Sequence, residues 1–311
     1  MTTGFSNSRG GHAQSHGTAT SPPIIGPAGK LAHIAIVSSG ARGALGLSVK
    51  AGLEQLGRKV TYLPYTDWLP GLTGATFRGS GLINRGLASL SRPAIEVRLV
   101  AALAKAKPDL VLIIKCDDLH GATYTAIRRA TSAPIIAFHP DDPWNQARAF
   151  RKGPAHVRAD LQIRTVDAMF LWSRALTEKA AREGAQRAFY VPFACDPALH
   201  PAIESVTPEE EQAFAADVTF IGNWDAEREA WLAPVADAGF DLAIWGADYW
   251  KNRCKHEGLR KAWRGRPLLG REQSAAARVT KVMVNVLRKQ NKGACNMRTF
   301  EIPAVGAFML H

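Results

Sequence analysis

A strand, a glycine-bearing turn, a helix and a second strand follow one another at residues 31–37, 38–46, 47–56 and 59–63. This order constrains the fold more than any other feature of the chain. Successive strands joined by a helix run parallel, and a parallel sheet buries both faces beneath its crossover helices. A second such unit starts afresh with a strand at 218–221, a turn at 222–225, a helix at 226–238 and a strand at 240–245. The repetition predicts an α/β chain of two Rossmann-like domains, 30–196 and 217–311, facing across a cleft. Residues 197–216 form the linker, because Pro, Ser, Thr and the run Glu209–Glu211 break the composition there. Ligands of open parallel sheets bind at the carboxyl ends of the strands, so the residues just after each strand matter most.

Further strands are predicted at 109–114, 134–138, 166–172, 189–193 and 281–286, and helices at 93–106, 119–130, 174–183 and 273–278. Ser173 is read as the cap of the third of these helices. Residues 67–91 are Gly- and Arg-rich without periodicity and read as a long loop or lid. Gly40, Gly43 and Gly46 form GxxGxxG rather than GxGxxG, with no acid ending the second strand, so a nicotinamide site is not expected.

The 311 residues include 46% hydrophobic ones, enough for an ordinary core, and no apolar run reaches a bilayer-spanning length. Residues 1–29 lack an apolar signal-peptide segment and read as a disordered tail, with His12 and His16 solvated. Cys116, Cys195, Cys254 and Cys295 form no CxxC pair, so thiols in the cytoplasm are expected. Net charge is +12 and the pI about 9.8. The densest basic stretch, 251–271, reads as a solvated face. It leaves room for weak association with an anionic membrane surface; nucleic acid is not an expected partner.

Three constellations carry chemistry. The segment from His139 through Asp141, Asp142 and Trp144 to Asn145 leaves a strand directly, so His139 or Asp141 can take a proton from an acceptor hydroxyl. An Asp capping the next helix is the structural alternative. Gly222 and Asn223 with Arg228 form a turn and helix start suited to an anion. Arg298 and Glu301 share a helix face just before the Gly306 turn, with Asn291, Lys292 and Asn296 upstream. A guanidinium suits a diphosphate and a carboxylate suits sugar hydroxyls. Lys281 is a further countercharge. Asp117 and Asp118 have no partner at metal-ligand spacing, so no metal site is expected. Phe138, Trp144, Trp172 and Phe193 read as core.

Four blocks together resemble the CgeB-like (spore maturation protein CgeB) glycosyltransferases of the group 1 set. They are residues 138–143, 170–173 with 191–196, 218–223 with Arg228, and 296–306. The resemblance spans residues 30–311 and is most specific in the last block. It implies a GT-B fold and metal-independent, hexosyltransferase-like transfer from a nucleotide-sugar, a substrate rather than a cofactor. In that pattern Glu301 contacts the donor ribose, while Gly222 and Asn223 lie near its diphosphate. The family often carries an earlier Glu, eight residues before the one matching Glu301; here that position is Gly293. GT-B second domains normally continue past the point matching His311, so an incomplete second domain is expected. A non-catalytic nucleotide-sugar-binding or regulatory module of the same fold is the alternative function.

Overall fold

The computed structural model describes residues 31–40, 43–68, 83–115, 119, 121–144, 162–291 and 293–311. The expectations for the 1–29 tail, for residues 69–82 of the lid, and for Cys116, Asp117, Asp118, Asn145 and Lys292 lie outside these residues.

Six parallel strands form the first sheet: β1 (His33–Ser38), β2 (Lys59–Pro64), β3 (Leu110–Ile114), β4 (Ile135–His139), β5 (Ala168–Leu171) and β6 (Ala188–Tyr190). Their spatial order is β2-β1-β3-β4-β5-β6. The crossovers run through α1 (Leu45–Gln55), α2 (Ile83–Ala106), α3 (Gly121–Ala130) and α4 (Arg174–Arg182). Every residue of β3 and β4 is buried, as strands covered on both faces must be. Alternation splits them between two cores. Val111 and Ile113 face Leu99, Leu103 and Ile127 of α2 and α3. Leu110, Leu112 and Ile114 share the opposite core with Leu45, Val49 and Leu53 of α1.

Four parallel strands form the second sheet: β7 (Ala216–Ile221), β8 (Leu242–Trp245), β9 (Thr280–Val284) and β10 (Met309–Leu310), in the order β10-β9-β7-β8. Six helices accompany it: α5 (Pro208–Phe214), α6 (Ala226–Asp237), α7 (Tyr249–Asn252), α8 (Glu257–Ala262), α9 (Arg271–Val279) and α10 (Arg298–Ala304).

Three local readings need correction. Helix α2 begins at Ile83, not at Pro93, so residues 83–91 are not loop; Pro93 sits inside the helix. A proline inside a helix costs about 3 kcal/mol, and burial of Ile95, Leu99 and Leu103 downstream offsets it. The linker contains α5, started by a capping box in which Thr207 and Glu210 exchange side-chain-to-backbone hydrogen bonds. Ser173 holds the cap position of α4, but its hydroxyl makes no capping hydrogen bond.

Candidate active site

In the second sheet the strand order reverses between β7 and β9. The chain leaves β7 toward β8 and leaves β9 toward β10, so their following loops part and open a crevice. A cleft of about 640 Å³ lies there, and residues of both sheets line it.

The second-sheet wall is charged. Asp225 caps α6 by accepting the Arg228 backbone N–H at 2.9 Å. That fixes Arg228 in the first turn, where its Nη1 donates to the Asn223 carbonyl at 2.7 Å. Its Nε lies 3.6 Å from Asp225 Oδ2, and its guanidinium lies over the Phe220 ring. Arg288, four residues past β9, donates to the same Asp225 oxygen at 3.3 Å. Burial, reinforced by the positive charge of Arg288, pulls the Arg228 guanidinium down to about 10. Arg228, Arg288 and Arg298 all line the cleft.

Glu301 sits in the first turn of α10 and is only 4% exposed. Arg298 Nη1 donates to its Oε2 at 2.6 Å, and His200 Nε2 lies 3.6 Å from its Oε1. The helix is aimed by Asn296. Asn296 Oδ1 accepts the Thr299 backbone N–H at 3.1 Å. Asn296 Nδ2 donates to Asn285 Oδ1 at 2.7 Å. Asn285 is buried just past β9. The spacing of Arg298 and Glu301 thus does place both on one face, and the face is turned into the cleft.

The first-sheet wall is mainly apolar, with Leu45 and Val49 of α1 beside Phe138, Trp172 and Phe193. Trp172 and Phe193 stack at 5.9 Å. Asp141 supplies charge on this wall and pairs with Lys115 at 2.6 Å. Asp142 instead folds the turn, accepting the Trp144 backbone N–H at 2.9 Å.

Of the residues singled out from the sequence, Asp141, Arg228, Asn296, Arg298 and Glu301 meet in this cleft. Four others do not line it. His139, the last residue of β4, is 2% exposed, and strand alternation sends it away from the side that Phe138 and Pro140 present. Gly222 lies under the turn: a Cβ on the facing Gly246 would come 2.2 Å from its carbonyl oxygen. That carbonyl also accepts the Trp250 indole N–H at 2.8 Å. Asn223 is occupied by the Ala247 backbone N–H and by Arg228. Lys281 pairs with Asp217 at 2.6 Å and does not line the cleft.

Sequence reasoning missed Arg288, His200 and Gln273 in the lining. Arg288 lies four residues past β9, within reach of the rule that the residues after each strand matter most. Within the basic stretch 251–271, Lys261, Arg264, Arg266 and Arg271 each meet a carboxylate. No group of three or more His, Cys, Asp or Glu among the described residues is placed to hold a metal ion. No described helix is long and apolar enough to cross a membrane.

Residues 228–311, which include most of the charged wall, match the family model described as glycosyl transferase-like. No curated protein matches the sequence. Among solved structures, sucrose-phosphate synthase from Thermosynechococcus elongatus superposes with a TM-score of 0.55 at 14% identity, over 81% of this chain and 74% of that one. The UDP-forming α,α-trehalose-phosphate synthase from Burkholderia xenovorans gives 0.52 at 15% identity, over 88% and 81%. Its counterpart from Burkholderia vietnamiensis gives 0.53 at 15%, over 88% and 82%. The chain has the GT-B fold expected from its sequence, and its second sheet carries a glycosyl transferase-like segment.

Proposed function

We propose that this protein is a CgeB-like glycosyltransferase that moves a sugar from a nucleotide-sugar donor to an acceptor hydroxyl. One observation carries the reading: Arg228, Arg288 and Arg298 converge with Glu301 at the crevice of the second sheet. When a sugar leaves its nucleoside diphosphate, negative charge grows on the departing phosphate. Fixed guanidiniums aimed at that point lower the barrier, and they do so without a metal ion. Arg228 suits this task because burial has already removed much of its water, so an anion replaces hydration that the fold has stripped away. Glu301 keeps lone pairs beyond the one taken by Arg298, which suits it to accept hydroxyl hydrogens of the donor.

Asp141 across the cleft is the acceptor-side base in this scheme, taking the proton from the attacking hydroxyl if the reaction inverts. His139 is too buried for that task. Gly222, Asn223 and Asn296 act through others: the first two shape the turn that holds Arg228, and Asn296 aims α10. We assign domains of 30–196 and 217–311 joined by the linker 197–216, a division supported by the two separate sheets, with α5 inside the linker. The cytoplasm is the setting we propose, where Cys195, Cys254 and Cys295 stay free thiols.

Calorimetric titration with UDP-, GDP- and TDP-sugars tests the reading, and binding of none of the three sinks it. A non-catalytic binding module is favoured by Gly293. Its φ of +75° suits glycine, so the earlier Glu seen in group 1 enzymes has no ready place here. Donor binding with neither transfer nor slow hydrolysis of the sugar would establish that second reading.

A further inference from the structure

We propose that His200 is a positioning residue for the donor site, holding Glu301 when its imidazole is protonated and releasing it when neutral. The inference rests on the donor-site reading above only in taking Glu301 as a ligand-binding carboxylate.

His200 lies on the crossover between the two sheets, in a turn built by Asp196. The Asp196 carboxylate accepts the Ala198 backbone N–H at 2.9 Å, and Ser48 of α1 hydrogen-bonds to it as well. The imidazole is 8% exposed. Its Nδ1 lies 3.2 Å from the Asp196 carbonyl oxygen. A carbonyl oxygen only accepts, so Nδ1 carries a hydrogen. That leaves Nε2, 3.6 Å from Glu301 Oε1, with two options. In neutral imidazole it presents a lone pair to a carboxylate oxygen, and the contact repels. In the cation it presents N–H, and the contact attracts. One proton therefore reverses the sign of the contact.

The surrounding charges make Glu301 sensitive to this. Arg298 holds its other oxygen at 2.6 Å. Protonated His200 completes a clamp of two cations, one on each carboxylate oxygen. On the crossover itself, Asp196 is the neighbouring carboxylate, and the charge of His200 helps to hold it below its ordinary value. Cys195 does not compete for the imidazolium as an anion, because burial and then the charge of Glu301 push its thiol up. Helix α1 contributes the neutral Ser48. A polar chain thus runs from α1 of the first domain through Asp196 and His200 to Glu301, and its last link depends on a proton. With His200 neutral, Glu301 is held on one side only, and its free oxygen turns away from Nε2.

The test has two readouts. In NMR, the His200 ring should titrate with a higher midpoint in the wild type than in Glu301→Gln, with Nδ1–H as its neutral tautomer. Equal midpoints overturn the coupling. In calorimetry with UDP, GDP and TDP, affinity of the wild type should fall about three- to tenfold from about pH 5.5 to about pH 8 beyond the nucleotide's own titration. His200→Gln, whose amide donates at every pH, should lose that excess. His200→Phe should bind weakly throughout, as the high-pH wild type does. The same pH slope in His200→Gln as in wild type overturns the proposal. Absence of nucleotide binding at every pH overturns the donor-site reading, while the NMR midpoints still decide whether His200 governs Glu301.

Discussion

The two walls of the cleft are built from the same parts, parallel strands with helices crossing over them, yet they present opposite surfaces. On the first-sheet side, α1 and the ends of β4 and β5 offer Leu45, Val49, Phe138 and Trp172, with Asp141 as the charged group. On the second-sheet side, the first turn of α6, the segment after β9 and the first turn of α10 offer three arginines and a buried glutamate. The difference follows from where the chain spends its polar groups. In the first domain, hydrophobic burial continues to the rim of the sheet. In the second, the crevice between β7 and β9 is left to side chains that hold one another by hydrogen bonds. Such a surface is costly unless an anion occupies it, since the desolvated Arg228 is flanked by two like charges. In the proposed function the charged wall takes the donor and the apolar wall the acceptor.

The sharpest way to break this assignment is Asp141→Asn. If the first wall carries the acceptor base, turnover falls about 10²- to 10⁴-fold while calorimetric donor affinity holds. Equal loss of donor affinity would move Asp141 to the donor side.

Arg228→Met should weaken nucleotide diphosphate binding by roughly 2–5 kcal/mol, with no drop in the thermal unfolding midpoint. The sign follows from the folded value of about 10, which burial holds well below the ordinary guanidinium value. The unfolded chain binds this proton more tightly, so at neutral pH the buried charge lowers stability, and stability rises as pH climbs above about 10. A variant that unfolds at lower temperature would show Arg228 to be a structural residue.

Leu99→Ala in the first core is the converse case. It should cost about 2–5 kcal/mol in urea denaturation and leave donor affinity within about threefold. Leu99 is fully buried and distant in role from the charged wall. A large affinity change would mean that the first core transmits strain to the donor site.

The smallest effect concerns the crossover. Burial pushes the Asp196 carboxyl up, but hydrogen bonds from Ser48 and from the Ala198 and Leu199 backbones outweigh it, so its folded pKa lies below the ordinary value. The stability it supplies is present above the unfolded pKa and is lost as pH falls below about 4. Asp196→Asn should flatten the acid limb of the unfolding curve by less than about 1 kcal/mol. An unchanged acid limb would remove the crossover as a tie between the walls.

Much of the architecture was legible because it depends on short-range patterns. Unbroken apolar runs such as Leu110–Ile114 mark central parallel strands, and the positive φ of Gly57, Gly184, Gly239 and Gly306 follows helix ends or precedes strands where the sequence placed turns. Two signals were present and misread: the Thr207–Glu210 capping box inside the linker, and the helical pattern that continues through Pro93. The site was legible where a residue's sequence neighbour is its partner, as with Arg298 and Glu301. It was not legible where the partner is remote. Nothing local pairs His200 with Glu301 or brings Arg288 to Asp225.

The sequence by itself determined the α/β class, two repeated units, strand mouths as the place for chemistry, and the block from Asn296 to Gly306 as the richest in ligand-type residues. Only the tertiary structure decided which of those residues face the cleft. Strand alternation turned His139 away from the cleft, while Asp141, in the turn beyond β4, lines it. Close packing of Gly222 on Gly246 put that turn to work as a support for Arg228. Periodicity fixes which face of an element is apolar, but the reversal of strand order between β7 and β9 fixes where the crevice opens, and that reversal is a property of the whole sheet.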